Sequence, residues 1–346
     1  MPLVQNSKLF DVLQGPGMTM LDNGVGRRDT WMAAMRRGDF ARAWQISDAD
    51  LRARLARGVP FQTGPRHFQS IWNGEPLAGK RVLVRCYHGL GDTIQFIRFA
   101  APLQRLAKEV IVWAPRPLVR LIGTAAGVDR VLPLHDGVPG VDFDCDIEIM
   151  ELAHALRVDA RSITCPVPYL FPKISKARPT NSANELLIGL VWRAGDWDAR
   201  RSVPGDLLSP LSYVSGVRLL SLQWPATGEA TCIAAPDASS QDIGEMAATL
   251  SGLDLLISVD TYAAHLAGAL GVPVWLLLHV HCDWRWMDHR NDSVWYPTMR
   301  LFRQRRAGAW QPVMEEIAAA LQTFAAVRPR RTNFLEQTCA SDVRLS

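Results

Sequence analysis

A chain of 346 residues, 48% hydrophobic and with its charges spread along its length, is long enough for two domains with a buried core each. A formal net charge of +4, built from scattered basic residues of which only five are lysine, argues against nucleic acid as a partner. Six cysteines with no CxxC pair exclude a disulfide framework or zinc knuckle and fit a reducing cytoplasm, while the absence of a signal-like or membrane-spanning apolar run leaves only a peripheral membrane contact open.

In chain order, residues 1 to about 28 carry Gly15, Pro16, Gly17, Gly24 and Gly26 and read as an irregular lead-in. From Asp29 to Arg57 apolar positions recur at helical spacing, with Trp31, Met32 and Met35 on one face, Phe40, Ala43 and Trp44 on the next, and Gly38-Asp39 as the break. This is a helical hairpin. The run Arg36 to Trp44 resembles part of a tetratricopeptide repeat, but one unit cannot build a solenoid, so residues 1–70 are expected to cap the first domain.

The first domain, 71–178, opens with strand Arg81–Arg85, loop Cys86–Asp92 and a helix expected over Thr93–Leu106. Gly89 and Gly91 let backbone approach a ligand closely, and Asp92 stands at the helix start, where either a cleft-facing role or plain capping would suit it. The loop is neither GxGxxG nor a P-loop. Strands Val110–Trp113 and Val131–Leu134, a helix Pro117–Ala126 and an acidic segment Phe143–Ile149 continue the βα pattern.

Four prolines between Pro166 and Pro179 mark an interdomain linker running to Ala183. The second domain, 184–326, has strands Leu186–Trp192 and Val217–Gln223, a helix Asp242–Leu253, and then a complete βαβ unit from Leu253 to Leu278. In that unit the apolar run to Val259 reads as a strand buried on both faces, Asp260 as a helix N-cap, and Gly271 and Pro273 as the stop before strand Val274–Leu278. The turn Ser258 to Thr261 therefore lies where open α/β sheets bind anions and nucleotides. Arg193, Arg200 and Arg201 fall in the loop after Trp192. An aromatic loop region follows the βαβ unit, then strand Met299–Phe302 and helix Trp310–Ala325; residues 327–346 read as a disordered basic tail.

Together, Gly89-Leu90-Gly91-Asp92-Thr93-Ile94-Gln95-Phe96, Ile257-Ser258-Val259-Asp260-Thr261, His265 to Gly271, Arg201-Ser202-Val203-Pro204, Asp283-Trp284-Arg285-Trp286 and Trp295-Tyr296-Pro297 resemble the heptosyltransferase-type glycosyltransferases of family 9, in the variant often found behind tetratricopeptide repeats. The resemblance spans about residues 70–323 and implies the α/β GT-B fold. Two Rossmann-like domains would face a cleft, with the short helical segment in front, the acceptor on the first domain and a nucleotide sugar on the second.

It implies Asp92 as the general base of an inverting transfer, beside cleft-loop residues Gly89, Gly91 and Gln95. The donor would be held by Ser258, Asp260, Thr261 and His265, with Arg200 or Arg201 against the leaving diphosphate. Tyr262 in place of the usual glycine and the lack of lysine after Trp192 weigh against ADP-heptose as the specific donor.

No cofactor and no metal are expected. Asp142-Phe143-Asp144 falls in the first domain, and His279, His281, Cys282, Asp283 and His289 lack closed-site spacing. The partners implied are a nucleotide-sugar donor and a glycan, glycolipid or protein acceptor, with Trp31, Trp44 and Phe61 favouring a saccharide. The alternative is a non-catalytic nucleotide-sugar or partner-binding module in which Asp92 only caps its helix.

Overall fold

The computed structural model describes residues 24–58, 65–163, 166–172, 185–195, 198–225, 233 and 235–327. The readings placed on the tail beyond Val327, on Phe61 and on the linker from residue 173 to 183 lie outside these residues.

The first sheet has strands β1 (Arg81–Arg85), β2 (Glu109–Ala114), β3 (Arg130–Pro133) and β4 (Cys145–Glu148), all parallel in the order β3-β2-β1-β4. The second has β5 (Leu186–Val191), β6 (Val217–Ser221), β7 (Leu255–Val259), β8 (Val274–Leu278) and β9 (Met299–Arg303), parallel in the order β6-β5-β7-β8-β9. Parallel strands need crossovers that cover both faces, which is why β7 and β8 are buried at every position. The helices are α1 (Gly24–Arg36), α2 (Phe40–Arg57), α3 (Leu90–Phe96), α4 (Ala100–Gln104), α5 (Val119–Ile122), α6 (Leu152–Ala155), α7 (Ile243–Leu250), α8 (Tyr262–Ala269) and α9 (Gln311–Val327). Among the described residues no helix is long and apolar enough to cross a membrane.

Three differences from the sequence reading bear on the site. The helix expected over Thr93–Leu106 breaks into α3, a 3-10 turn at Ile97–Phe99 and α4. Pro102 has no N–H for the Arg98 carbonyl, and the Ile94 and Gln95 carbonyls accept instead from the Tyr169 hydroxyl at 3.0 Å and Arg98 Nε at 2.7 Å. Separate cores were also expected, yet the main apolar cluster runs through both sheets, joining Val82, Ile94 and Phe96 to Leu266, Val274 and Trp295. The join is made where α3 packs on α8.

The third difference is the hairpin, which caps both domains rather than the first alone. In α2, Trp44 donates its indole N–H to the Val158 carbonyl at 2.6 Å, and Asp48 pairs with Arg157 at 2.7 Å. In α1, Trp31 meets Trp284 edge-on at 5.2 Å, and Arg36 Nη2 donates to the Cys282 carbonyl at 2.6 Å. The helix also starts at Gly24, inside the expected lead-in.

Candidate active site

The loops at the carboxyl ends of β1 and of β5 to β8 line one cavity of about 560 Å³, closed on one side by Met32 and Arg36 of α1. A larger groove of about 710 Å³ beside α9 is walled by Trp275, Phe324 and small side chains, with Arg300 and Glu316 as its charged groups. Titratable groups converge only in the first of these two, so that is the candidate site.

Asp92 reaches it from the first domain. As the third residue of α3, it accepts the Gly89 N–H on Oδ2 at 3.0 Å, closing the first turn. Its Oδ1 accepts from Arg285 Nη2 of the second domain at 2.7 Å. Asp92 is thus both a cap and a cleft-facing carboxylate. Gly91, next to it, lies so close to α8 that a Cβ there would stand 2.9 Å from the His265 ring, which explains why this turn carries glycine.

On the opposite wall, α8 points its N-terminus into the cavity, with Thr261, Tyr262 and Ala263 among the lining residues. First-turn N–H groups of a helix have no intrahelical acceptor, so this end presents donors and a partial positive charge. Thr261, not Asp260, is the N-cap. The Asp260 carboxylate turns instead to Trp286, accepting its indole N–H at 2.9 Å, and stands 3.7 Å from His265 Nε2. Burial alone would push this carboxyl up, but the His265 ring, the Trp286 N–H and the charge of Arg285 outweigh it and hold it down at about 2.

His265 is itself buried, bonded through Nδ1 to the Tyr296 hydroxyl at 2.9 Å and stacked on Trp286. Arg201 is buried too. Its Nη1 donates to the Asp260 carbonyl at 2.7 Å, and burial draws its guanidinium below the usual arginine value. Arg200 is more exposed and forks onto Asp198 at 2.8 and 3.0 Å.

Two of the expected site residues fall elsewhere. Ser258 is fully buried, with its hydroxyl donating to the Val259 carbonyl at 2.7 Å, and Gln95 is packed inside the interdomain core; neither lines the cavity. Both occupy inward-facing positions that a motif alone does not distinguish from cleft-facing ones.

Trp44 is likewise buried and Trp31 packs on Trp284, so of the aromatics taken to favour a saccharide acceptor these two are structural. His279 stands 3.7 Å from Asp198, and Cys282 accepts from Arg303 at 3.1 Å. Among the described residues no three His, Cys, Asp or Glu side chains converge to hold a metal ion. Asp144 lies at the amino end of β1, paired with Arg81, away from the cavity.

The sequence reading quoted Arg285 only as part of the motif Asp283-Trp284-Arg285-Trp286, without a role, and did not single out Trp224. Arg285 is 9% exposed and faces Asp92, Asp260 and Asp283. Burial would lower its guanidinium, but these carboxylates outweigh burial and raise it above the usual value. Trp224, after β6, is 42% exposed, and of the large apolar side chains left exposed among the described residues it alone lines the cavity. An aromatic residue directly after the expected strand Val217–Gln223 was the available sequence signal.

These features define an α/β protein of the GT-B class, with two Rossmann-like sheets and a polar cleft between them. The fold is shared with a glycosyl transferase family 9 structure from Veillonella parvula, at a TM-score of 0.50 and 14% identity over 73% of this chain and 99% of that one. The Escherichia coli ADP-heptose lipopolysaccharide heptosyltransferase II aligns at a TM-score of 0.48 and 14% identity, over 70% of this chain and 99% of that one. Among curated proteins, Protein FlbA of Caulobacter vibrioides is 25% identical in an alignment of 325 residues, covering 84% of this chain and 53% of that protein. The chain therefore spans about half the length of the curated relative that it matches. No family model matches the chain.

Proposed function

We propose that the protein is an inverting glycosyltransferase that needs no metal and moves a sugar from a nucleotide-sugar donor to a hydroxyl of a glycan, glycolipid or protein. The observation that carries this reading is Asp92 facing the N-terminus of α8 and Asp260 across one cavity, with the two walls supplied by different domains. An acceptor hydroxyl beside Asp92 attacks the anomeric carbon as its proton passes to the carboxylate. The bond from that carbon to the diphosphate oxygen breaks, and its electron pair leaves with the nucleoside diphosphate.

The leaving charge falls at the α8 N-terminus beside Arg201, which together supply the positive field that a metal would otherwise provide. The strand order extends this layout. From β7 the sheet passes through β5 to β6, and two strand spacings are roughly 10 Å, which suits a nucleoside reaching from the α8 N-terminus to stack its base on Trp224.

Incubating the protein with ADP-, UDP-, GDP- and CMP-sugars and measuring nucleotide release tests the reading. Slow hydrolysis of one class above the others is expected. If no nucleotide sugar is hydrolysed or bound, glycosyl transfer is the wrong reaction; binding without any turnover favours a non-catalytic module.

A further inference from the structure

The geometry points to Arg285 as the positioning residue for Asp92: it holds the base's carboxylate from the opposite domain. This rests on the glycosyl-transfer reading above. Asp92 is held at both oxygens, by its own loop through the Gly89 N–H at 3.0 Å and by the second domain through Arg285 at 2.7 Å. Each carboxylate oxygen has two acceptor directions, so one on each is left over for an incoming hydroxyl. With both oxygens pinned, the carboxylate plane is fixed before the acceptor arrives.

Arg285 is itself rigidly mounted. Its carbonyl accepts the Trp295 indole N–H at 2.7 Å, Arg303 bonds the Met287 carbonyl at 2.6 Å, and Arg36 of α1 bonds the Cys282 carbonyl at 2.6 Å. Its guanidinium lies over the Trp284 ring at 5.2 Å, and Asp283 stands 3.5 Å from Nη1. The planar fork transmits this mounting to Asp92 as a direction, which a lysine ammonium would not.

Arg285 does not serve as the diphosphate's main cation, because its two Nη atoms are taken up by Asp92 at 2.7 Å and Asp283 at 3.5 Å, whereas Arg201 adjoins the α8 N-terminus through the Asp260 carbonyl. The hairpin thereby gains a role at the chemistry. By gripping the loop that carries Arg285, α1 keeps the base set while the two domains stay together.

The test compares Arg285→Ala, Arg285→Lys, Asp92→Asn and the Arg285→Ala/Asp92→Asn pair. It uses the nucleotide sugar that the wild type hydrolyses fastest and calorimetric binding of the matching nucleoside diphosphate. Arg285→Ala should lower kcat for nucleotide release by about tenfold or more while the Kd changes by less than about threefold, and Arg285→Lys should recover part of the rate. The double variant should be no slower than Asp92→Asn alone, and thermal unfolding across the cycle of wild type, Arg285→Ala, Asp92→Asn and the double variant should be non-additive.

A Kd that rises in step with the lost rate would make Arg285 a diphosphate ligand and overturn the proposal, as would additive unfolding. If unfolding is non-additive but the wild type hydrolyses no nucleotide sugar, the transfer reading fails, and the pair is reduced to a tie between domains.

Discussion

At the scale of single residues, the site depends on charges kept in their ionised form by fixed neighbours. Asp260 has its carboxyl held down at about 2, against about 4 in an unfolded chain, so its ionised form favours the folded state. Because the folded value is depressed, this contribution is fully present above about pH 4 and is lost as the pH falls toward 2, amounting to roughly 2–3 kcal/mol. Unfolding free energy measured from pH 5 to 2 should fall less steeply for Asp260→Asn than for the wild type; parallel curves would remove Asp260 as the cause.

Gly91 gives a steric counterpart. In an open helix Gly→Ala stabilises by up to about 1 kcal/mol, but here the added Cβ meets the His265 ring at 2.9 Å, and that ring is buried between Tyr296 and Trp286. The clash should win, with Gly91→Ala destabilising by about 1–3 kcal/mol in denaturant unfolding. A stabilised variant would mean that α3 and α8 are not in fixed contact.

At the scale of elements, the strands were legible because buried parallel strands write near-continuous apolar runs, as in Leu255-Leu256-Ile257 and Val274-Trp275-Leu276-Leu277-Leu278. The break in the helix after Phe96 had a signal in Pro102, but the apolar period alone gave an unbroken helix over Thr93–Leu106. What could not be read was anything fixed by distant partners. Thr261 rather than Asp260 caps α8 because Asp260 is drawn to Trp286, 26 residues on, and Arg285 meets Asp92 across 193 residues.

The hairpin's double attachment belongs to the same class of unreadable features, and it has a measurable consequence. Trp31→Ala removes the edge-on contact with Trp284 and should cost about 1–3 kcal/mol of stability. It should also slow nucleotide release, since Trp284 adjoins Arg285. Lost stability with an unchanged rate at a permissive temperature would confine the hairpin to a structural role.

At the scale of the whole molecule, two sheets joined by one continuous core present their carboxyl-end loops to a single cavity, and glycosyl transfer is the proposed use of that arrangement. Since the leaving diphosphate is to be met by the α8 N-terminus and Arg201, turnover should survive EDTA, and activity lost to chelation and restored by manganese would contradict that electrostatic account.

The central claim, that Asp92 is the base and donor binding belongs to the other wall, is tested most directly by Asp92→Asn. With the preferred nucleotide sugar, turnover and calorimetric donor affinity are measured on the same preparation. Turnover should fall by more than about tenfold with affinity nearly unchanged, as for a group that acts only in the transition state. A variant that keeps more than about a tenth of the wild-type turnover would show that the proton goes elsewhere.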